Sequence, residues 1–132
     1  MENAKKEKLK KYIALLYRKI ADGEGLKIIP KITLVNDLEN EKQDPLGYTA
    51  YFNPQDNSIK CYITNRLIVD CLRSIGHELI HLKQKERGDL IGNESTEVGY
   101  AQNNPKMAKL EAEAFLRGSL YLRQLQDELR KK

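Results

Sequence analysis

The run His77-Glu78-Leu79-Ile80-His81 constrains this chain more than any other five residues, because it holds both of the protein's histidines, four positions apart with a glutamate directly after the first. Residues i and i+4 stack on one face of an α-helix. Two imidazoles there can grip one metal ion while the glutamate between them sits beside a metal-bound water. Two histidines placed at random would fall into this pattern in roughly one such chain in a thousand, so coincidence explains it poorly. The pattern points to metal-assisted peptide hydrolysis and demands a helix here.

The flanks supply that helix. From Asn65 to about Glu86 the sequence reads as one helical segment, with Asn65 as N-cap and Gly88 as the C-terminal stop. Leu67, Cys71, Ser74, Glu78 and His81 recur at spacings of three or four, a stripe that begins apolar and turns polar at the motif. Gly76 costs a helix about 1 kcal/mol relative to alanine, which implies close packing at that point.

A catalytic zinc takes three protein ligands and keeps one open position. No third histidine exists, and Cys61 and Cys71 lie upstream of the motif, which leaves a carboxylate. A second helix is expected from Pro105, a residue suited to a first helical turn, toward the C-terminus. On it Met107, Leu110, Ala114, Gly118, Tyr121, Leu122 and Leu125 form one apolar stripe that includes Glu111. Glu113 falls on the other side, with Lys109, Leu120 and Gln124. A charge within an apolar face is costly unless it is paired or binds a metal, so Glu111 is the better candidate and Glu113 the alternative. Ala114 and Gly118 would allow close approach to the motif helix.

A His-Glu-x-x-His helix followed by a helix bearing Glu-Ala-x-x-Phe resembles the gluzincin branch of the zincin metallopeptidases, especially the short minigluzincins. The string His-Glu-Leu-Ile-His-Leu-Lys-Gln is also similar to SprT-like and phage-encoded predicted metallopeptidases. The likeness covers mainly residues 47 to 125. It implies a Zn2+ ion held by His77, His81 and Glu111, with Glu78 as general base toward a water activated at neutral pH. It also implies a tyrosine or histidine that stabilises the oxyanion. Tyr100, Tyr121 and Tyr48 are the available side chains and the sequence does not choose among them; Tyr100 is carried as the catalytic candidate, since it would lie near the site if the long segment from Arg87 to Asn104 folds over the cleft. The partner implied is a protein or peptide substrate. A catalytically degenerate zincin-like scaffold that binds metal, protein or DNA is the alternative.

The rest reads as support. Residues 1 to about 21 form a basic amphipathic helix with Leu9, Ile13, Leu16 and Ile20 inward, ended by Gly23 and Gly25. Lys5, Lys6, Lys8, Lys10 and Lys11 read as a solvated face rather than a nucleic-acid surface, since no nucleic-acid module accompanies them. Lys27 to Val35 is β-branched, with Pro30 barring a central position. Gly47 to Phe52 and Ser58 to Thr64 alternate around Asn-Pro-Gln-Asp-Asn and should form a hairpin, the expected substrate-pairing edge. Asp37 to Pro45 reads as a polar loop.

The expected architecture is a single α+β, zincin-like domain over 1–132: an N-terminal helix, about three strands, the motif helix and a C-terminal helix carrying the third ligand. A net charge of +4 permits acidic partners without requiring them. Lacking an apolar span or signal-peptide core, the chain is expected in the cytoplasm, with Cys61 and Cys71 reduced. No propeptide or lower C-terminal subdomain is expected, which would make a substrate groove shallow.

Overall fold

The computed structural model describes residues 2–36, 50–89 and 105–131. Three helices and a three-stranded sheet follow in the order α1 (Glu2–Glu24), β1 (Lys31–Val35), β2 (Ala50–Asn53), β3 (Ser58–Tyr62), α2 (Ile68–Glu86) and α3 (Pro105–Arg130). The fold class is α+β, as expected. The segment Asp37 to Pro45, Tyr48, Tyr100 and most of the connection between α2 and α3 lie outside the described residues.

α1 buries Leu9, Ile13, Leu16 and Ile20, the four residues that its periodicity singles out. It runs past Gly23, which therefore does not end the helix. A Cβ at Gly23 would lie 2.5 Å from the hydroxyl oxygen of Tyr121, so any larger residue there would have to push the Tyr121 ring aside. Gly25, with φ of +70°, is the residue that turns the chain.

The hairpin forms with β2 antiparallel to β3, pairing Asn53 with Ser58 and Ala50 with Cys61. Its turn is held by side chains: Asn53 Oδ1 accepts from Gln55 N at 2.9 Å and Asp56 Oδ1 from Ser58 N at 3.0 Å. Asn57 adopts φ of 60°, which asparagine tolerates better than most residues. β1 starts immediately after Pro30 and pairs parallel with β3, so the strand order is β1-β3-β2. Proline's lack of an N–H is thereby kept off the ladder. Ile59 and Cys61 of β3 and Phe52 of β2 are fully buried.

α2 is the central element of the fold, with Asp70 and Arg73 on the side it leaves to solvent. It packs against α1, α3, β2 and β3, and from Ile75 to Leu82 every residue but His77 is buried. The expected stripe fails toward its N-terminal end. Leu67 is 68% exposed and precedes the helix, while Ser74 is only half-buried. Asn65 is not the N-cap. The helix starts at Ile68 from Leu67 without a side-chain cap, and Asn65 instead takes φ of 54° to turn the chain out of β3. Arg66 ties that turn together, donating to Tyr62 O, Asp70 O and Ser74 Oγ at 2.9, 2.9 and 2.7 Å. At the other end Gly88 does stop the helix. Its φ is 93°, and Asp89 N and Gly88 N donate to Gln84 O and Lys85 O in a Schellman pattern.

Helices α2 and α3 cross at a pair of glycines. A Cβ on Gly118 would lie 2.9 Å from His77 N and 3.0 Å from the Gly76 carbonyl carbon, and one on Gly76 would lie 3.3 Å from Gly118 O. The two backbones touch, as Gly76 and Gly118 foretell, and the contact falls one residue before His77. Cys61 and Cys71 are buried free thiols in the core.

Candidate metal centre

α2 presents His77 and His81 one above the other, and α3 brings Glu111 across to both. Glu111 Oε2 is 2.9 Å from His77 Nε2, its Oε1 is 2.8 Å from His81 Nε2, and the two Nε2 atoms are 3.2 Å apart. Three donor atoms from two helices thus share one point. A tetrahedral zinc with bonds of about 2.0–2.1 Å places neighbouring donor atoms about 3.3 Å apart, so the observed separations suit one cation with a small outward relaxation. His81 is fully buried, whereas the side chains of His77 and Glu111 are 17% and 24% exposed. One side of the cluster therefore faces solvent.

Glu78 lies beneath. His77, Glu78 and His81 each offer a ligating atom within 4.8 Å of the others. Glu78 is buried, and neither its Oε2 nor His77 Nδ1 has a hydrogen-bond partner among the described residues. A buried carboxylate oxygen without a partner is costly to ionise, and a divalent cation beside it removes that cost. Burial, reinforced by the charge of Glu111 and opposed by that of His81, pushes the Glu78 carboxyl up to about 8. Glu111 goes the other way: burial opposes its ionisation, but hydrogen bonds from His77 and His81 outweigh this and hold it at about 2. For His81, burial favours the neutral ring. Its contacts with Glu111 and Gln84 and the negative charge of Glu78 and Glu111 reverse that and raise its pKa.

Glu113 takes no part in the cluster. Its carboxylate accepts from Gln84 Nε2 at 2.8 Å and from Arg87 Nη2 at 2.7 Å, and its side chain is 23% exposed. The helical wheel puts it on the far side of α3, yet it packs at the C-terminal end of α2. Glu111 and Glu113 flank the buried line from Leu110 to Ala114, and α2 is broad enough to meet both flanks.

Tyr121 does not reach the cluster. It sits ten residues beyond Glu111, about 15 Å along the helix, and its hydroxyl donates to Glu24 Oε2 at 2.6 Å. Phe115, the phenylalanine of the Glu-Ala-x-x-Phe string, packs edge-on against the His77 ring with centroids 4.6 Å apart, yet is 62% exposed. Sequence reasoning does not single out Gln84, which is fully buried and touches His81 Nδ1 at 2.8 Å. Its signal is spacing alone: position i+3 from His81, on the same helical face. A separate groove between α1 and β1, lined by Ile13, Tyr17, Leu26, Ile29 and Ile32 with lysines at its rim, contains no ligating cluster. No helix among the described residues is long and apolar enough to cross a membrane. No family model, curated protein or solved structure matches the chain.

Proposed function

We propose that this protein is a zinc-dependent metallopeptidase of the gluzincin type, built as a zincin-like domain. The observation that carries the reading is the meeting of Glu111 from α3 with His77 and His81 from α2, above a buried Glu78 that has an unpartnered oxygen. His77 Nε2, His81 Nε2 and a Glu111 oxygen would hold the metal. When bound, zinc supplies Lewis acidity, which polarises a peptide carbonyl and acidifies water to a pKa of about 7. Glu78 is the base: its free Oε2 takes the proton from the attacking water and delivers it to the departing amine nitrogen. A cation at the cluster favours the ionised carboxylate that this role requires. β2 is the outer strand of the sheet nearest α2 among the described residues, and it would pair with an extended peptide.

The test is Glu78→Gln. The variant should bind zinc to about one ion per chain, as measured by elemental mass spectrometry, and lose at least about a hundredfold in peptide cleavage, the lower end for general-base catalysis. Undiminished turnover would remove Glu78 from the mechanism, and a wild-type protein that retains no zinc after dialysis would remove the whole reading.

A further inference from the structure

Gln84 sits at the junction of the two helices and makes three hydrogen bonds from one buried amide. Its Nε2 donates to Leu110 O and to Glu113 Oε1, both at 2.8 Å, and its Oε1 faces His81 Nδ1 at 2.8 Å. The direction of this chain is decided by chemistry. A backbone carbonyl only accepts, and a carboxylate held by Arg87 only accepts, so the NH2 group of Gln84 must point at α3. The amide cannot turn around, and its carbonyl oxygen must face the imidazole. An acceptor facing His81 Nδ1 in a site that excludes water requires the proton to be on Nδ1.

We infer that Gln84 is a positioning residue that holds a proton on His81 Nδ1 and so turns Nε2 toward the ligand cluster. Glu111 Oε1 also faces His81 Nε2, at 2.8 Å, so in the metal-free protein that nitrogen meets an acceptor too; a cation would take the place of a proton there, while the Nδ1 proton stays with Gln84, which like His81 is fully buried. A bare Nδ1 opposite Gln84 Oε1 would leave two acceptors face to face without remedy. Through Glu113 and Arg87 the ring's orientation is coupled to the contact between the end of α2 and the start of α3, the same contact that delivers Glu111. Glu113, the rival candidate for third ligand, thereby acquires a different role: it anchors the residue that orients the second ligand.

The inference deepens the metallopeptidase reading and rests on it for what Nε2 is aimed at. The proton position is independent of that reading. Long-range 1H–15N spectra of the metal-free wild-type protein should show His81 carrying a proton at Nδ1. A bare Nδ1 overturns the inference with no variant needed. In competition titrations with Zn2+ alone, Gln84→Met should bind roughly 10–100-fold more weakly. In the same spectra Gln84→Met should shift the neutral His81 ring toward the Nε2–H tautomer, because Glu111 then offers the ring its acceptor. Unchanged affinity in Gln84→Met, or an unchanged His81 tautomer, would sink the positioning role. A wild-type protein with the Nδ1–H tautomer and no zinc affinity would uphold the orientation by Gln84 and defeat the peptidase reading.

Discussion

Glu78 and Glu111 carry the same carboxyl group in one cluster, and their surroundings drive them apart. Glu78 has no donor for its Oε2 and lies in the dry interior, so it holds a proton up to about pH 8. Glu111 accepts from two imidazoles and stays ionised down to about 2. Linkage turns this into opposite pH dependences for the metal-free protein. Glu78 binds its proton more tightly when folded, so its contribution is complete below the ordinary carboxyl value near 4.5 and is lost as pH rises through about 8. The contribution of Glu111 is complete above that ordinary value and is lost as pH falls toward 2. In chelator, urea midpoints of the wild type should therefore decline between about pH 5 and pH 8. Glu78→Gln should shrink that decline, leaving the part contributed by the raised pKa of His81, and be the more stable protein above pH 8, by an amount on the order of a few kcal/mol. Parallel curves for the two proteins would show that Glu78 is not desolvated as described.

At the scale of elements, the contact between α2 and α3 decides whether the ligands meet. Its tightest point is Gly76 against Gly118, adjacent to His77. Alanine is the better helix former by about 1 kcal/mol at either position, so propensity alone predicts stabilisation. At Gly118 the new methyl would meet backbone atoms of Gly76 and His77 at 2.9–3.0 Å, and backbone cannot move aside cheaply. Overpacking of this kind costs about 1–3 kcal/mol, which outweighs the propensity gain. Gly118→Ala should lower stability and, by wedging the helices apart beside His77, weaken zinc retention. At Gly76 the tightest approach would be the Gly118 carbonyl oxygen at 3.3 Å, with Gly118 Cα and Leu16 Cδ2 in ordinary contact at 3.6 Å, so Gly76→Ala should change stability little. Thermal unfolding together with zinc content separates the two; equal behaviour of both variants would show that the crossing tolerates expansion. The same reasoning explains Gly23, which periodicity reads as a terminator but whose real constraint is the ring of Tyr121, a residue 98 positions away in the chain.

Across the whole molecule, a metal held by His77, His81 and Glu111 would be a clasp between two helices, α2 and α3, that are joined only through a long connection. Zinc at about 100 times its dissociation constant should stabilise the fold by about 2.7 kcal/mol, seen as a concentration-dependent rise in unfolding temperature. Glu111→Gln should abolish that rise and Glu113→Gln should keep most of it; the reverse result would exchange their roles. Much of this arrangement is legible in the sequence. The four-residue spacing of His77 and His81 requires one helical face, the stripe through Leu9, Ile13, Leu16 and Ile20 requires burial of α1, and the Asn-Pro-Gln-Asp-Asn turn requires a hairpin. These are local periodicities, and backbone geometry enforces them within a few residues. What the sequence leaves open are choices between partners distant in the chain. It cannot say that β1 lies parallel to β3, that α2 packs against both other helices and the sheet, or that Asn65 turns the chain instead of capping the helix. It cannot pair Tyr121 with Glu24, nor send Glu113 to Gln84 and Arg87 while Glu111 faces the imidazoles. Helical periodicity reports which side of a helix is buried, while the neighbour on that side is chosen by packing, and the choice between two glutamates two residues apart was made only when the glycine crossing brought α3 against α2.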